Sequence, residues 1–211
     1  MSCASARDYE TAAGVAVVYE PDHLTAFLET SCAAAIWHRT PAAEFQSWIH
    51  DLLPSSLPEG RIVLRPEAVG SAIEELCQIA ETPSSPHKNQ LIDDISALSD
   101  VFARLMQTQY LRLRLQRVTS NACRKFHVDA IVGRLVCTYR GAGTQFGTSA
   151  NGGDPTRVLT VPTGAPILLR GSLWPETPAS GLLHRSPPIE GTGETRLVLV
   201  LDAVDDIHDG Q

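Results

Sequence analysis

The sequence predicts an α+β fold in which a helix-rich N-terminal half braces an all-β C-terminal half. Three observations carry that expectation. Apolar residues recur at steps of three and four through Leu91, Ile95, Leu98, Phe102 and Leu105, the stripe of an amphipathic helix. Near Gln109 the period falls to two, and Leu111, Leu113 and Leu115 alternate with Arg112, Arg114 and Gln116 as in a half-buried strand. From there to the end, short apolar runs are separated by turns rich in Gly, Pro, Asn and Asp, which is the punctuation of a β-sandwich or barrel.

Taken in order, Val15 to Tyr19 is β-branched and predicts a strand, His23 to Glu29 a short helix, and Ala33 to His38 a second strand. Thr40-Pro41 reads as an N-cap with proline in the first turn of a helix burying Phe45, Trp48, Ile49 and Leu52, which Pro54 stops. A strand follows at Arg61 to Leu64. A helix from about Glu67 to Glu81 buries Val69, Ala72, Ile73 and Leu76. Thr82 to Asn89, TPSSPHKN, reads as a linker. Beyond the long helix, strands are expected at Arg134–Tyr139, Val158–Val161, Pro166–Arg170, Gly181–His184 and Arg196–Leu201, with a glycine-rich turn from Gly141 to Asp154. Residues 1–81 form a mixed helical and strand region, and 88–205 a helix plus a β metal-binding core. No linker separates the long helix from the strand at Leu111, so one composite domain is expected.

With 43% apolar and 19% charged residues the chain reads as globular. A net charge of −7 disfavours a nucleic-acid binder, and the cluster Arg112, Arg114, Arg117, Arg124 and Lys125 reads as the solvent face of a strand. No run approaches the roughly 20 apolar residues that span a bilayer, and MSCASARDYE lacks the features of a secretory signal, so a cytoplasmic protein without membrane contact is expected. Five cysteines at irregular spacing (Cys3, Cys32, Cys77, Cys123, Cys137) form no zinc ribbon or disulfide framework. The remaining histidines, His23, His38, His50, His87 and His208, have no partner spacing.

The sharpest chemical feature is Phe126-His127-Val128-Asp129. On an extended strand, residues i and i+2 share a face, so the His127 imidazole and the Asp129 carboxylate can converge on one point. Alone, the pair reads better as a hydrogen-bonded His–Asp couple. A third ligand from a distant strand would complete a facial triad of the non-haem iron type, and the run Gly181-Leu182-Leu183-His184 ends in a histidine before a turn. Cys123, four residues before His127, offers a rival tetrahedral zinc set with His127 and His184, although a buried free thiol is the simpler account of it.

The order H-x-D strand, arginine-led strand (Arg134), glycine turn before an apolar strand, distal histidine and then Arg196 is similar to the Fe(II)/2-oxoglutarate-dependent dioxygenases. The wording CRKFHVD, CTYRGAGTQF, LLHRSPP and TRLVLVLD also resembles an uncharacterised bacterial family of domains of unknown function, met in zinc-limitation contexts. The resemblance covers about Leu111 to Asp202. It implies a double-stranded β-helix, a cupin-like jelly roll, for the C-terminal half. It also implies His127, Asp129 and His184 as ligands of Fe(II), with Zn as the alternative metal, and Arg196 as partner of the distal carboxylate of 2-oxoglutarate. Tyr139 or Thr138 would add a hydroxyl, only one of them facing inward. The interval from His184 to Arg196 is longer than usual in that superfamily, and Arg185 is a rival carboxylate binder or a substrate contact. The function implied is an oxygenase acting on a small molecule or a peptide side chain. The competing readings are a non-catalytic, zinc-handling metal-binding protein and a structural domain in which His127 and Asp129 only hydrogen-bond.

Overall fold

The computed structural model describes residues 14–149, 153–175 and 181–207; Cys3 and His208 lie outside them. The elements in chain order are β1 (Val15–Val18), a 3-10 helix (Pro21–Leu28), β2 (Ala34–Trp37), α1 (Ala43–Asp51), β3 (Gly60–Leu64), α2 (Val69–Ile79), α3 (Pro86–Met106), β4 (Tyr110–Val118), β5 (Gly133–Arg140), β6 (Gln145–Thr148), β7 (Leu159–Thr160), β8 (Pro166–Arg170), β9 (Leu182–Arg185) and β10 (Arg196–Val204).

Ten strands form two sheets among the described residues: a seven-stranded one in the order β1-β2-β8-β5-β10-β4-β3 and a three-stranded one, β7-β6-β9. Neither closes on itself or curls strongly, so the cupin-like double-stranded β-helix expected from the sequence is corrected to an open, two-sheet α+β fold. The large sheet takes β1, β2 and β3 from the N-terminal half as its outer strands, which leaves β1 and β3 as free edges. The small sheet's ladders span only two to four residue pairs, too short to join those edges.

Strand alternation divides the large sheet into two faces, and each has its own core. Leu111, Leu113 and Leu115 of β4, Leu135 and Cys137 of β5, and Leu197, Leu199 and Leu201 of β10 pack with Leu91, Ile95, Leu98 and Phe102 of α3 and with Ile73 of α2. On the other face Val136, Val198, Val200, Ile167 and Leu169 meet Phe146, Leu159 and Leu182 of the small sheet. The order is therefore helices, large sheet, small sheet. No described helix is long and apolar enough to cross a membrane.

Several local expectations are revised. Thr40 does not cap α1, which starts at Ala43 behind Ala42 with no side-chain cap. The segment read as a linker contains the start of α3: Ser85 accepts a hydrogen bond from the Lys88 amide at 3.1 Å, and Pro86 opens the helix, as a Ser-Pro N-terminus allows. The glycine-rich turn after β5 contains β6, which pairs with β9. Residues 126–129 lie in a loop that touches the sheet through one bridge, His127 to His184.

Candidate metal centre

That bridge brings the two histidines together. The amide of each donates to the carbonyl of the other at 3.0 Å, so the residues stand directly opposite one another. Side chains of such a pair share a face, and the imidazole centroids lie 4.5 Å apart. The loop that follows is anchored to the turn after β8. Asp129 O accepts from the Ser172 amide at 2.8 Å, and Val132 O from the Gly171 amide at 2.9 Å. Only glycine fits at 171, because a Cβ there would overlap the Ile131 carbonyl.

This turn delivers the Asp129 carboxylate to the histidine pair. His184 Nε2 is 3.0 Å from Asp129 Oδ2 and His127 Nε2 is 3.5 Å from Oδ1. One donor atom from each of the three residues falls within 4.8 Å of the others. Metal–ligand bonds of about 2.1 Å meeting at right angles separate neighbouring donors by about 3 Å, the spacing found here. His127 Nδ1 lies 2.8 Å from the Lys125 carbonyl, which fixes the ring and turns Nε2 inward. Burial pushes the His184 imidazole below its usual range, which keeps a lone pair available. Burial would raise the Asp129 carboxyl, but His184 and Arg134 hold it well below the ordinary carboxylate range. Its Oδ2 is buried and meets neither neighbour in hydrogen-bond geometry, although Arg134 Nη1 is 2.5 Å away. A carboxylate whose two oxygens each approach one imidazole, with a buried Oδ2 outside good hydrogen-bond geometry, fits a divalent ion.

Around this centre Asp202, on β10 and 1% exposed, ties the β4–β10–β5 rows together. It receives Arg134 through Nε at 2.6 Å and Nη2 at 3.0 Å, and Arg114 through Nη2 at 3.1 Å. Arg112 and Arg114 are thus partly buried beside the site and do not form the solvent-facing stripe that the sequence suggested. The sequence marked Arg134 only as the start of a strand and Arg114 only as part of a basic stripe, and it did not single out Asp202. One signal was present: a lone acid in the apolar run RLVLVLD requires buried cationic partners.

Arg196 lines the same cleft as His127 and His184. Its side chain is 1% exposed, donating from Nε to Ala142 O at 2.6 Å and from Nη2 to Thr138 Oγ1 at 3.4 Å. Burial brings its guanidinium down to about 10, with Glu194 opposing the shift, so it is charged at neutral pH. Thr138, buried on the same face of β5 as Val136, reaches the cleft only through Arg196. Tyr139 does not reach it: its hydroxyl donates to Asp94 on α3 at 2.7 Å, on the helical side of the sheet. Arg185 also lines the cleft, stacked on Phe126 at 4.3 Å and donating to Gln145 at 2.8 Å. Cys123 is exposed at the cleft margin and is not one of the three residues whose donors converge.

Two imidazoles and one carboxylate make up a 2-His-1-carboxylate set able to hold a divalent metal. The fold is shared with two solved plant dioxygenases. Dioxygenase for auxin oxidation 1 from Arabidopsis thaliana, solved in complex with 2-oxoglutarate, is 10% identical, with 92% of this chain and 93% of that chain covered and a TM-score of 0.50. Dioxygenase for auxin oxidation from rice is 11% identical, with 91% and 83% covered and a TM-score of 0.53. No curated protein matches the sequence. The chain belongs to the family described as "protein of unknown function (DUF1826)", whose profile matches residues 19–202.

Proposed function

We propose that this protein is an Fe(II)- and 2-oxoglutarate-dependent oxygenase acting on a small molecule. The observation that carries the reading is the convergence of His127, Asp129 and His184 beside a cleft lined by both histidines and by a buried, charged arginine, Arg196. A structural His–Asp couple does not need that arginine. A closed zinc site would use a fourth protein ligand, and among the described residues none joins the three.

In this reading the two histidines and Asp129 hold the metal, while Arg134 orients the carboxylate. Arg196 binds the distal carboxylate of 2-oxoglutarate through its guanidinium fork, with Thr138 adding a hydroxyl. The metal and 2-oxoglutarate would supply the reactivity toward dioxygen that no side chain possesses. The apolar walls, Val136, Val198 and Val200, keep water from the cleft floor.

Anaerobic addition of Fe(II) and 2-oxoglutarate is expected to give a weak visible charge-transfer band, and aerobic incubation slow formation of succinate. Arg196→Ala should abolish both while leaving metal binding intact. A protein that binds Zn(II) tightly but shows neither signal would support the metal-handling alternative instead.

A further inference from the structure

Beside Asp129 and Asp202 stand three guanidiniums, those of Arg134, Arg114 and Arg112, one more than the two carboxylates. Asp202 is already engaged by Nε and Nη2 of Arg134, yet Arg114 approaches it as well, at 3.1 Å, and Arg112 stands 4.0 Å away. Arg134 also serves Asp129, so the excess cation belongs to the cluster as a whole, in which Arg114 reaches the cleft wall. The Arg114 Nε is buried and has no hydrogen-bond partner. Burying an unsatisfied guanidinium donor is costly, and here it occurs in the wall of the cleft, in a chain of net charge −7.

Register places this arginine in relation to the rest of the site. On the β4–β10 ladder Arg114 is level with Val200, and Arg196 is level with Val118. The backbone positions of the two arginines thus stand four residues apart along the ladder, roughly 13 Å at about 3.3 Å per residue. Arg134, which holds Asp129, is level with Asp202, one same-face position beyond Val200. Arg114 therefore lies toward the metal end, and Arg196 toward the other end. Gln116 follows Arg114 on the same face and also lines the cleft.

We propose that Arg114 is the substrate's anion anchor, so that the oxygenase acts on a small molecule bearing a carboxylate or phosphate group, seated at the metal end of the cleft. This rests on the oxygenase reading for the identity of the site. Arg185 is the competing cation, but its plane is stacked on Phe126 and its Nε is bound to Gln145.

The test is calorimetric titration of the Mn(II)- and 2-oxoglutarate-loaded protein with benzoate and phenyl phosphate, each beside its uncharged counterpart, methyl benzoate and phenol. At least one acid should bind about tenfold or more tightly than its neutral partner, the factor expected of one charge-assisted hydrogen-bonded contact. Benzoate against phenyl phosphate then tells carboxylate from phosphate. Arg114→Gln should remove the preference, Arg114→Lys should keep part of it, and Arg185→Gln should leave it intact. Should Arg114→Gln not fold, the decision passes to Arg114→Lys and to added chloride, which should weaken the acids alone.

Absence of any anion preference, its survival in Arg114→Gln, or its loss in Arg185→Gln instead would each overturn the assignment. Metal and 2-oxoglutarate binding without an anion preference would reject the anchor and leave the oxygenase. An Arg114-dependent preference in a protein that binds neither would reject the oxygenase and leave the anion site.

Discussion

At His127, Asp129 and His184, three side chains come together because of backbone features that are individually small. A reciprocal pair of amide hydrogen bonds sets the histidines side by side, and Gly171 lets the Asp129 loop pass close enough to complete the set. Three predictions belong at this scale. Replacing any one of the three by alanine should lower divalent-metal affinity by more than 100-fold, read by competition against a chelating dye. Arg134→Ala, which removes only a neighbour of the ligand, should cost about 10–100-fold, the range of outer-shell partners. Gly171→Ala should weaken metal binding without touching a ligand, since the added methyl displaces the loop; metal affinity equal to wild type would contradict that. The H-x-D pair and the distal histidine were legible in the sequence because their chemistry is local to a few letters. The cross-strand pairing was not, since it joins positions 57 residues apart through backbone atoms that any sequence possesses.

Among the elements, α3 and the large sheet depend on each other. Its stripe of Leu91, Ile95, Leu98 and Phe102 is fully buried against the leucine face of β4 and β10, which is why a period of 3.6 followed by a period of 2 was informative. A polar tie supplements this packing. Asp94 takes both terminal nitrogens of Arg39 at 2.6 and 2.7 Å and the Tyr139 hydroxyl at 2.7 Å. Asp94→Ala would strip both terminal nitrogens of Arg39 of their carboxylate, leaving its Nε on the Gly164 carbonyl, and would leave the Tyr139 phenol with no acceptor. It should cost about 2–3 kcal/mol, at the lower end for a buried pair because both charged side chains keep some solvent contact. Tyr139→Phe should cost only about 1 kcal/mol. Urea denaturation checks both, and a Tyr139→Phe protein that had lost metal binding would show that Tyr139 belongs to the site after all. This tie also explains why Tyr139 was a plausible cleft residue in the sequence: adjacent hydroxyls at 138 and 139 are indistinguishable until the strand's facing is known. β6 was missed for a related reason, since glycine and glutamine letters conceal a strand whose only strongly apolar residue is Phe146.

For the whole molecule, the large sheet acts as a partition, with an apolar core toward the helices and a charged cleft toward the small sheet. The alternation of β4 shows this division directly: leucines on one side, Arg112 and Arg114 on the other. Composition alone suggested a solvated basic stripe, because nothing in the letters says that a second sheet covers that face. Because the metal site draws on β9, on the loop before β5 and, through Arg134, on β5 itself, an ion bound there should stabilise the fold as a unit. At 100 times its dissociation constant it should add about 2.7 kcal/mol, or a rise in Tm of about 5–10 °C for a chain of this size. His184→Ala should show no such rise in thermal unfolding. The most direct test of the central claim is the X-ray absorption spectrum of the Fe(II)-loaded protein. The structure predicts a six-coordinate ion with nitrogen and oxygen donors only, two of them imidazole nitrogens that fall to one in His184→Ala. A sulfur scatterer at about 2.3 Å, or a closed four-coordinate ion, would contradict it.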